Sequence, residues 1–222
     1  MKIWLISDTH QRHHLLKVPE NIDMVICSGD VSNPRDFVTN QHEVLNFIEW
    51  YASLPIEHKV CCMGNHDTSV EKRLVTPGDF ASKGITYLEH ASTKLAGLNI
   101  YGSPYTPSFG QGWAFNVKRS RLDAYWAEIP ENTDILITHG PPKGILDITP
   151  EQGLVEQCGC KALLNHVHRV KPLIHCFGHI HNVDECFNAG KLVLPNLRTT
   201  FVNASIVSLR GELINHGQII EL

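Results

Sequence analysis

Residues 2–10 read KIWLISDTH, an apolar run that ends abruptly in a carboxylate and an imidazole two positions apart. Similar transitions from an apolar run to Asp, Asn or His occur at CSGD (27–30), MGNHD (63–67), THG (138–140) and FGHIH (177–181). Short, continuous runs of this kind are typical of strands that are buried on both faces. The sequence therefore predicts a protein in which five strands end in polar side chains.

The order of the apolar runs predicts an α/β fold with mixed sheets. The runs cover residues 2–6, 23–27, 59–63, 98–101, 134–138, 173–177 and 191–194, with a last pair near 201–209 and 212–220. Apolar side chains between Val44 and Ala52 fall at helical spacing, and residues 121–129 and 160–170 are weaker helix candidates. A short turn at Arg210-Gly211 favours antiparallel pairing of the last two runs.

Composition limits the class of protein. The length of 222 residues and the absence of a linker predict a single domain over residues 1–222. A formal net charge of −4 argues against nonspecific nucleic-acid binding, and no apolar run approaches the roughly 20 residues of a membrane span. Seven cysteines, most of them in apolar runs, indicate free thiols in a reducing compartment. With no signal-peptide pattern before the first strand, we expect a cytoplasmic protein. The sequence leaves the oligomeric state open.

The polar residues at the strand ends are candidate metal ligands. An Asp after Gly is usually a turn residue and a His-x-His pair usually a solvated loop, so each motif alone is ambiguous. In open α/β sheets, however, strand ends of this kind converge on one crevice. Together they offer oxygen and imidazole ligands, too many for one tetrahedral ion, which predicts two divalent ions of Mn, Fe, Zn, Co or Ni. The candidates are Asp8, His10, Asp30, Asn65, His139, His179 and His181.

The ordered motifs resemble those of the calcineurin-like metallophosphoesterase superfamily, and YGSPYTP (101–107) and WAFN (113–116) resemble its metallophosphoesterase-domain (MPPED-type) branch. Where the family usually has glycine after the first histidine, this chain has Gln11. The resemblance implies a four-layer sandwich, in which two mixed β-sheets are flanked by helices. It implies that His66 protonates the leaving group and that Asp67 orients the His66 ring. It also implies that one ion is bound by Asp8, His10 and His181, the other by Asn65, His139 and His179, and both by a bridging Asp30.

The implied activity is hydrolysis of a phosphodiester by in-line attack of a metal-bridging hydroxide. The expected substrate is a small-molecule phosphodiester or nucleotide, with cyclic nucleotides among the candidates. A phosphomonoesterase or a nuclease would use the same site. A non-catalytic binding scaffold would typically have lost ligands or His66, and all of these residues are present here.

Several further residues are weaker candidates. Each arginine is either a phosphate contact or a surface residue, and the aromatic rings of the segment 101–116 either stack on a base or pack that segment onto the sheet. Cys158-Gly159-Cys160 lacks the second cysteine pair of a zinc-finger site. The remaining histidines match no motif, and His13 and His14 are the ones next to the predicted site. The arginines and aromatic residues are Arg12, Arg35, Arg119, Arg121, Tyr105, Phe109, Trp113 and Phe115.

Overall fold

The computed structural model describes residues 1–33, 36–151, 154–183 and 186–222. The strands in these residues are β1 (Lys2–Ile6), β2 (Met24–Cys27), β3 (His58–Cys61), β4 (Thr86–Tyr87), β5 (Ala91–Leu95), β6 (Leu98–Ser103), β7 (Thr106–Pro107), β8 (Asn116–Val117), β9 (Ile135–Thr138), β10 (Ile148–Glu151), β11 (Leu154–Gln157), β12 (Ile174–Phe177), β13 (Gly190–Val193), β14 (Thr200–Asn203) and β15 (Gln218–Glu221). The helices are α1 (Phe37–Ser53), α2 (Thr68–Glu71), α3 (Pro77–Ala81), α4 (Leu122–Ala127) and α5 (Lys161–Val170). Two single-turn 3-10 helices cover His13–Leu15 and Arg119–Arg121.

Two large sheets form the centre of the molecule. The first sheet has the order β15-β1-β2-β3-β4, with β1 to β4 parallel and β15 antiparallel to β1. The second sheet has the order β13-β14-β12-β9-β6-β5, in which the four inner strands are parallel and the two edge strands antiparallel. Both sheets are therefore mixed, as predicted. Because neighbouring parallel strands end at the same edge, residues that follow them in the chain are brought close together.

The sheets pack face to face and are covered by helices on their outer faces. Apolar side chains on the inner faces of both sheets form a shared core, which includes Ile3, Leu5, Met24, Ile26, Ile135, Ile137, Ile174 and Val202. On the outer face of the first sheet, Phe47 and Tyr51 of α1 pack in one cluster with Trp4 and Val25. On the outer face of the second sheet, α4 and α5 supply Trp126 and Val167 to a cluster with Leu136 and Phe177. The arrangement is the predicted four-layer sandwich.

Helix α1 begins earlier than the apolar spacing indicated. The Asp36 carboxylate accepts hydrogen bonds from the backbone N–H groups of Val38 (3.1 Å) and Thr39 (3.0 Å), which is a helix N-cap. The helix ends before Leu54, whose extended backbone suits a residue preceding proline. The weaker helix candidates correspond to α4 and α5. Among the described residues, no helix combines the length and hydropathy needed to cross a membrane.

The predicted antiparallel pairing of the last two apolar runs holds only next to the turn that joins them. β14 lies between β12 and β13 in the second sheet, whereas β15 pairs with β1 in the first sheet. Across the Arg210-Gly211 turn, the described residues form one isolated antiparallel bridge, between Val207 and Leu213. Beyond this turn the two runs separate, because β15 pairs with the backbone groups at the free edge of β1. The short strands β4, β5, β7, β8, β10 and β11 had no apolar run to predict them.

Candidate metal centre

The seven candidate ligands lie together at the carboxyl ends of the central strands; we call them the ligand cluster. Two groups of potential ligand atoms, each with all its atoms within 4.8 Å of one another, are Asp8, His10, His181 and Asp30, His139, His179. A third group joins His10 and Asp30 with His66. Asn65 Oδ1 is 2.9 Å from His139 Nε2. The structure thus brings all seven residues together, with Asp30 in contact with both ends of the cluster.

The backbone turns sharply at several ligands immediately after their strands. Asp8, His10, Asp30 and His179 have positive φ angles of 53°, 40°, 53° and 69°. Such angles are uncommon for residues other than glycine and cost about 1–3 kcal/mol each, and they are concentrated at functional sites. Gln11 also has a positive φ, of 67°, which explains why its position is one where glycine fits well. Gln11 therefore adopts a backbone conformation that glycine reaches more readily.

Two glycines allow the ligand loops to approach one another. A Cβ atom at Gly64 would overlap the side chains of Asp30 and His139. A Cβ atom at Gly178 would overlap the side chains of Asp8 and Ser7. These positions accept only glycine because the space of a side chain is already taken by the ligands.

Backbone carbonyls orient two of the imidazole rings. The Nδ1 of His139 donates to the Ser28 carbonyl at 2.8 Å, and the Nδ1 of His10 donates to the Ser32 carbonyl at 2.9 Å. Each bond leaves Nε2 facing the ligand cluster, where the His139 Nε2 lies 2.9 Å from Asn65 Oδ1 and 3.1 Å from Asp30 Oδ2. The Nε2 of His10 is buried and has no hydrogen-bond partner, although such a group is costly to leave unsatisfied. A bound cation would satisfy it, so the donor set fits the divalent ions that the sequence predicts.

The charges in the ligand cluster are strongly coupled. Burial alone would raise the pKa of Asp8, but the neighbouring His181 and His139 lower it to about 2. Burial alone would lower the pKa of His139, but the charge of Asp30, whose Oδ2 lies 3.1 Å from His139 Nε2, raises it to about 9. Burial lowers the pKa of His179 to about 3. The cluster therefore holds ionised carboxylates whose charge is offset by imidazole protons, and metal ions compete for the same ligands.

Among the described residues, the Asp67 carboxylate is hydrogen bonded to groups of the neighbouring loops and not to the His66 ring. Its carboxylate accepts hydrogen bonds from the N–H groups of Asp30 (3.0 Å), Val31 (3.1 Å), Ser32 (3.1 Å) and Gly64 (2.8 Å) and from the Ser32 hydroxyl (2.7 Å). Nδ1 of His66 has no hydrogen-bond partner. Asp67 is buried, and its carboxylate connects the loop after β2 to the loop after β3.

The His66 ring faces the cluster and an aromatic side chain. Its Nε2 is 3.7 Å from Asp30 Oδ2, and its centroid lies 4.7 Å from that of His10. On the other side, the centroid of Trp113 lies 4.8 Å away. The side chain is partly exposed, at 20%, so a bound molecule can reach it.

Sequence reasoning missed Asn40, which links α1 to both loops. Its side-chain amide donates to the carbonyl of His66 (2.8 Å) and to the Ser32 hydroxyl (3.0 Å), while its Oδ1 accepts from the N–H of Ser69 (2.9 Å). Asn40 is fully buried, on the same helix face as Val44. A polar residue in phase with the apolar spacing of a helix was the signal that could have identified it.

The aromatic rings of the segment 101–116 take both of the positions that the sequence left open, some packed onto the protein and others next to the site. Tyr105 and Phe115 pack into the protein, with Phe115 buried. Phe109 and Trp113 face the ligand cluster, where the Phe109 centroid is 5.1 Å from that of His179. Packing thus explains two of the rings, and the other two border the site.

The other weak candidates have identifiable positions. The Arg119 guanidinium donates to the carbonyls of Cys158 (2.8 Å) and Gly159 (3.1 Å), while Arg12 and Arg121 are exposed and Arg35 lies outside the described residues. The Cys160 sulfur accepts a hydrogen bond from Leu163 N–H at the start of α5. His13 packs against Phe47 and Trp50. Sequence reasoning also missed Arg210, which lines a cleft with His10, His66 and His181.

Comparisons with known proteins give matches over most of the chain. The model of the calcineurin-like phosphoesterase family matches residues 1–183. The human and mouse proteins named metallophosphoesterase domain-containing protein 1 are each 34% identical to this chain over 241 residues, covering 98% of it and 69% of their own length. A crystal structure of a Thermus thermophilus protein matches the fold with a TM-score of 0.58 at 12% identity, covering 92% of this chain and 88% of that one.

Proposed function

The chain belongs to the calcineurin-like phosphoesterase family, in the branch of the metallophosphoesterase domain-containing proteins, and from this we propose that it is a two-metal phosphodiesterase. Membership of the family makes it a metal-dependent phosphoesterase. The proposed substrates are small-molecule phosphodiesters, with cyclic nucleotides among the candidates. The observation that carries the finer proposal is the division of the ligand cluster into two groups, with Asp30 of the second group also close to His10 of the first.

The proposed ligands form two sets, one for each ion. One ion would be held by Asp8, His10 and His181, the other by Asn65, His139 and His179, and Asp30 would contact both. The unpartnered Nε2 of His10 and the absence of thiolates from this set support Mn, Fe, Zn, Co or Ni. When bound, two such ions lower the pKa of a shared water molecule and offset negative charge on phosphate oxygens.

His66 is the proposed proton donor to the leaving alcohol. It stands at the rim of the ligand cluster, partly exposed, with one ring nitrogen 3.7 Å from Asp30. Histidine holds and releases protons near neutral pH, and general acid catalysis contributes typically about 10²–10⁴-fold in rate. Asp67 supports this role through the backbone, because its carboxylate holds the loops that carry Asp30 and His66.

Replacement of His66 tests the proposal. We expect His66→Ala to retain both metal ions, since His66 is outside the proposed ligand set, and to lose about 10²–10⁴-fold in kcat on diphenyl phosphate, because phenol leaves poorly without a proton. The measurements are metal content by mass spectrometry and kcat with Mn²⁺. His168→Ala, which removes an exposed histidine of α5, is the matched control and should leave both unchanged. Full activity of His66→Ala would exclude the acid role.

Steady-state kinetics with Mn²⁺ also test the substrate class. We expect a higher kcat/KM for bis(p-nitrophenyl) phosphate than for the monoester p-nitrophenyl phosphate. A clear preference for the monoester would replace the proposed diesterase by a phosphomonoesterase, and cleavage of oligonucleotides at comparable rates would replace it by a nuclease.

Two further proposals concern the whole chain. We propose that residues 1–222 form one domain, which the pairing of β15 with β1 supports because it joins the two ends of the chain. We also propose a cytoplasmic location, supported by seven free cysteines, of which five are buried thiols.

A further inference from the structure

Two cavities border the ligand cluster at different ligands. The Phe109 cavity, of about 210 Å³, is lined among others by Pro107, Phe109, Pro141, His179 and Ile180. The Trp113 cavity, of about 450 Å³, is lined by His10, His66, Trp113, His181 and the turn at residues 209–211. The ring centroids of Phe109 and Trp113 are 5.6 Å apart, so these two side chains form a ridge between the cavities. Each cavity reaches a different end of the ligand cluster.

The two cavities differ in chemistry. The lining surface of the Phe109 cavity is largely apolar, and two prolines, an aromatic ring and an isoleucine contribute to it. Arg119 also borders it, but its guanidinium donates to the carbonyls of Cys158 and Gly159. An apolar cavity of about 150 Å³ is enough to bind benzene, so the Phe109 cavity has room for a planar apolar group. The Trp113 cavity also has apolar lining residues, among them Val207 and Leu209, but it differs in containing His66 and the exposed Arg210.

The position of His66 gives the two cavities different roles in an ester hydrolysis. A general acid must lie beside the oxygen that leaves. His66 lines the Trp113 cavity, whereas the Phe109 cavity is bordered by the proposed ligand His179. The alcohol that departs therefore belongs in the Trp113 cavity. A second organic group on the same phosphorus atom has the Phe109 cavity available on the other side.

We infer that the Phe109 cavity is a subsite for the organic group that stays on phosphorus, and that it selects diesters in which this group is planar and apolar. The inference rests on the proposed phosphodiesterase function. In the reaction, the phosphorus–oxygen bond to the leaving alcohol breaks and a bond from phosphorus to a water oxygen forms. His66 gives its proton to the alcohol and regains one from the water, whose second proton remains with the product. The product is a phosphomonoester that carries the group held at Phe109.

The experiment varies the retained group while the leaving group stays the same. Phenyl p-nitrophenyl phosphate is compared with methyl p-nitrophenyl phosphate, using the Mn²⁺-loaded protein and release of p-nitrophenol. We expect the phenyl diester to have a kcat/KM at least about tenfold higher, mainly through KM, because transfer of a ring out of water into an apolar site is favourable. Phe109→Ala should reduce this preference at least threefold. Thr149→Phe should reduce it as well, since Thr149 also lines the cavity.

Controls separate a subsite from a general effect on the fold. Phe187→Ala removes a phenylalanine that is 74% exposed and lines neither cavity, and should leave the preference unchanged. Calorimetry with the product analogues gives a readout that does not depend on turnover. Phenyl phosphate should bind more tightly than methyl phosphate to the wild type, and this difference should shrink in Phe109→Ala.

The outcomes that overturn the inference are distinct. Equal kcat/KM for the two diesters would overturn the subsite and leave the diesterase proposal standing. Loss of the phenyl preference in Trp113→Ala but not in Phe109→Ala would show that the substrate binds in the reverse orientation, which also overturns it. Hydrolysis of p-nitrophenyl phosphate with neither diester cleaved would overturn the proposed function itself.

Discussion

The buried side-chain amide of Asn40 positions His66 without contacting the imidazole ring. Its side chain contacts the backbone of His66 rather than the imidazole, and the same side chain holds the Ser69 N–H at the start of α2. Since a buried polar group left without a partner costs about 1–3 kcal/mol, the amide fixes the loop after β3 against α1. We regard Asn40 as a positioning residue for His66.

We therefore predict that Asn40→Ala loses about 1–3 kcal/mol of stability, because the buried Ser69 N–H loses its partner. The His66 carbonyl also loses one donor, although it still accepts from the Thr68 N–H and the Ser32 hydroxyl. We also expect a lower kcat with little change in KM, since the proton donor would be displaced while the ligand cluster stays in place. Urea unfolding and steady-state kinetics are the measurements. His42→Ala, at an exposed position of the same helix, is the control. A normal kcat in a destabilised Asn40→Ala would show that the amide has only a structural role.

At the scale of elements, the site depends on how closely the loops after different strands approach. The loop after β12 passes so near the loop after β1 that Gly178 lies against Asp8 and Ser7. The N–H of His179 donates to both carboxylate oxygens of Asp8 at 3.0 Å. One strand of each sheet therefore contributes to the same end of the ligand cluster, and the contact between sheets positions the ligands.

Gly178→Ala should disrupt this contact. The added methyl group has no space beside Asp8, and overpacking of this kind costs typically about 1–3 kcal/mol. We expect reduced stability and a loss of bound metal, measured by urea unfolding and by metal analysis. Gly78→Ala is a matched control in helix α3, where the new Cβ would meet only the Thr76 hydroxyl at 3.5 Å. That variant should be neutral or more stable, as is usual for alanine in a helix. Unchanged metal content in Gly178→Ala would contradict the prediction.

At the scale of the whole molecule, the pH dependence of stability depends on titratable side chains that are buried in their neutral form. His175 of β12 is fully buried, packed against Phe177 and Phe201, and its Nε2 donates to the Thr138 hydroxyl at 2.8 Å. Burial lowers the pKa of His175 to about 3. The unfolded chain, with an ordinary histidine pKa of about 6.5, therefore binds more protons than the folded protein between these two values. Stability falls as the pH decreases through that window.

We predict that His175→Gln reduces the pH dependence of stability. Each pKa unit corresponds to about 1.4 kcal/mol, so the wild type should lose on the order of 1 kcal/mol more than the variant between pH 7.5 and 5.5. Urea unfolding at both pH values measures the difference. His168→Gln, at an exposed position of α5, should leave the pH dependence as it is in the wild type. Parallel curves for His175→Gln and the wild type would contradict the prediction.

The sequence by itself determined the features that depend on neighbouring residues. The strand cores of both sheets could be recognised because apolar runs such as Lys2–Ile6 and Ile174–Phe177 are continuous and buried on both faces. The candidate ligands could be recognised because each follows its strand by only a few residues. The end of a strand and the residue that follows it are properties of the local sequence. Any fold that brings these strand ends together also brings their polar side chains together.

Only the tertiary structure decided which distant residues meet. It paired β15 with β1 rather than with β14, it turned the Asp67 carboxylate to backbone N–H groups rather than to the His66 ring, and it placed Phe109 and Trp113 on the ridge between two cavities. These contacts join residues far apart in the chain, and several arrangements satisfy the same local preferences. The choice among them depends on how much apolar surface is buried and how many buried polar groups are paired in the complete fold.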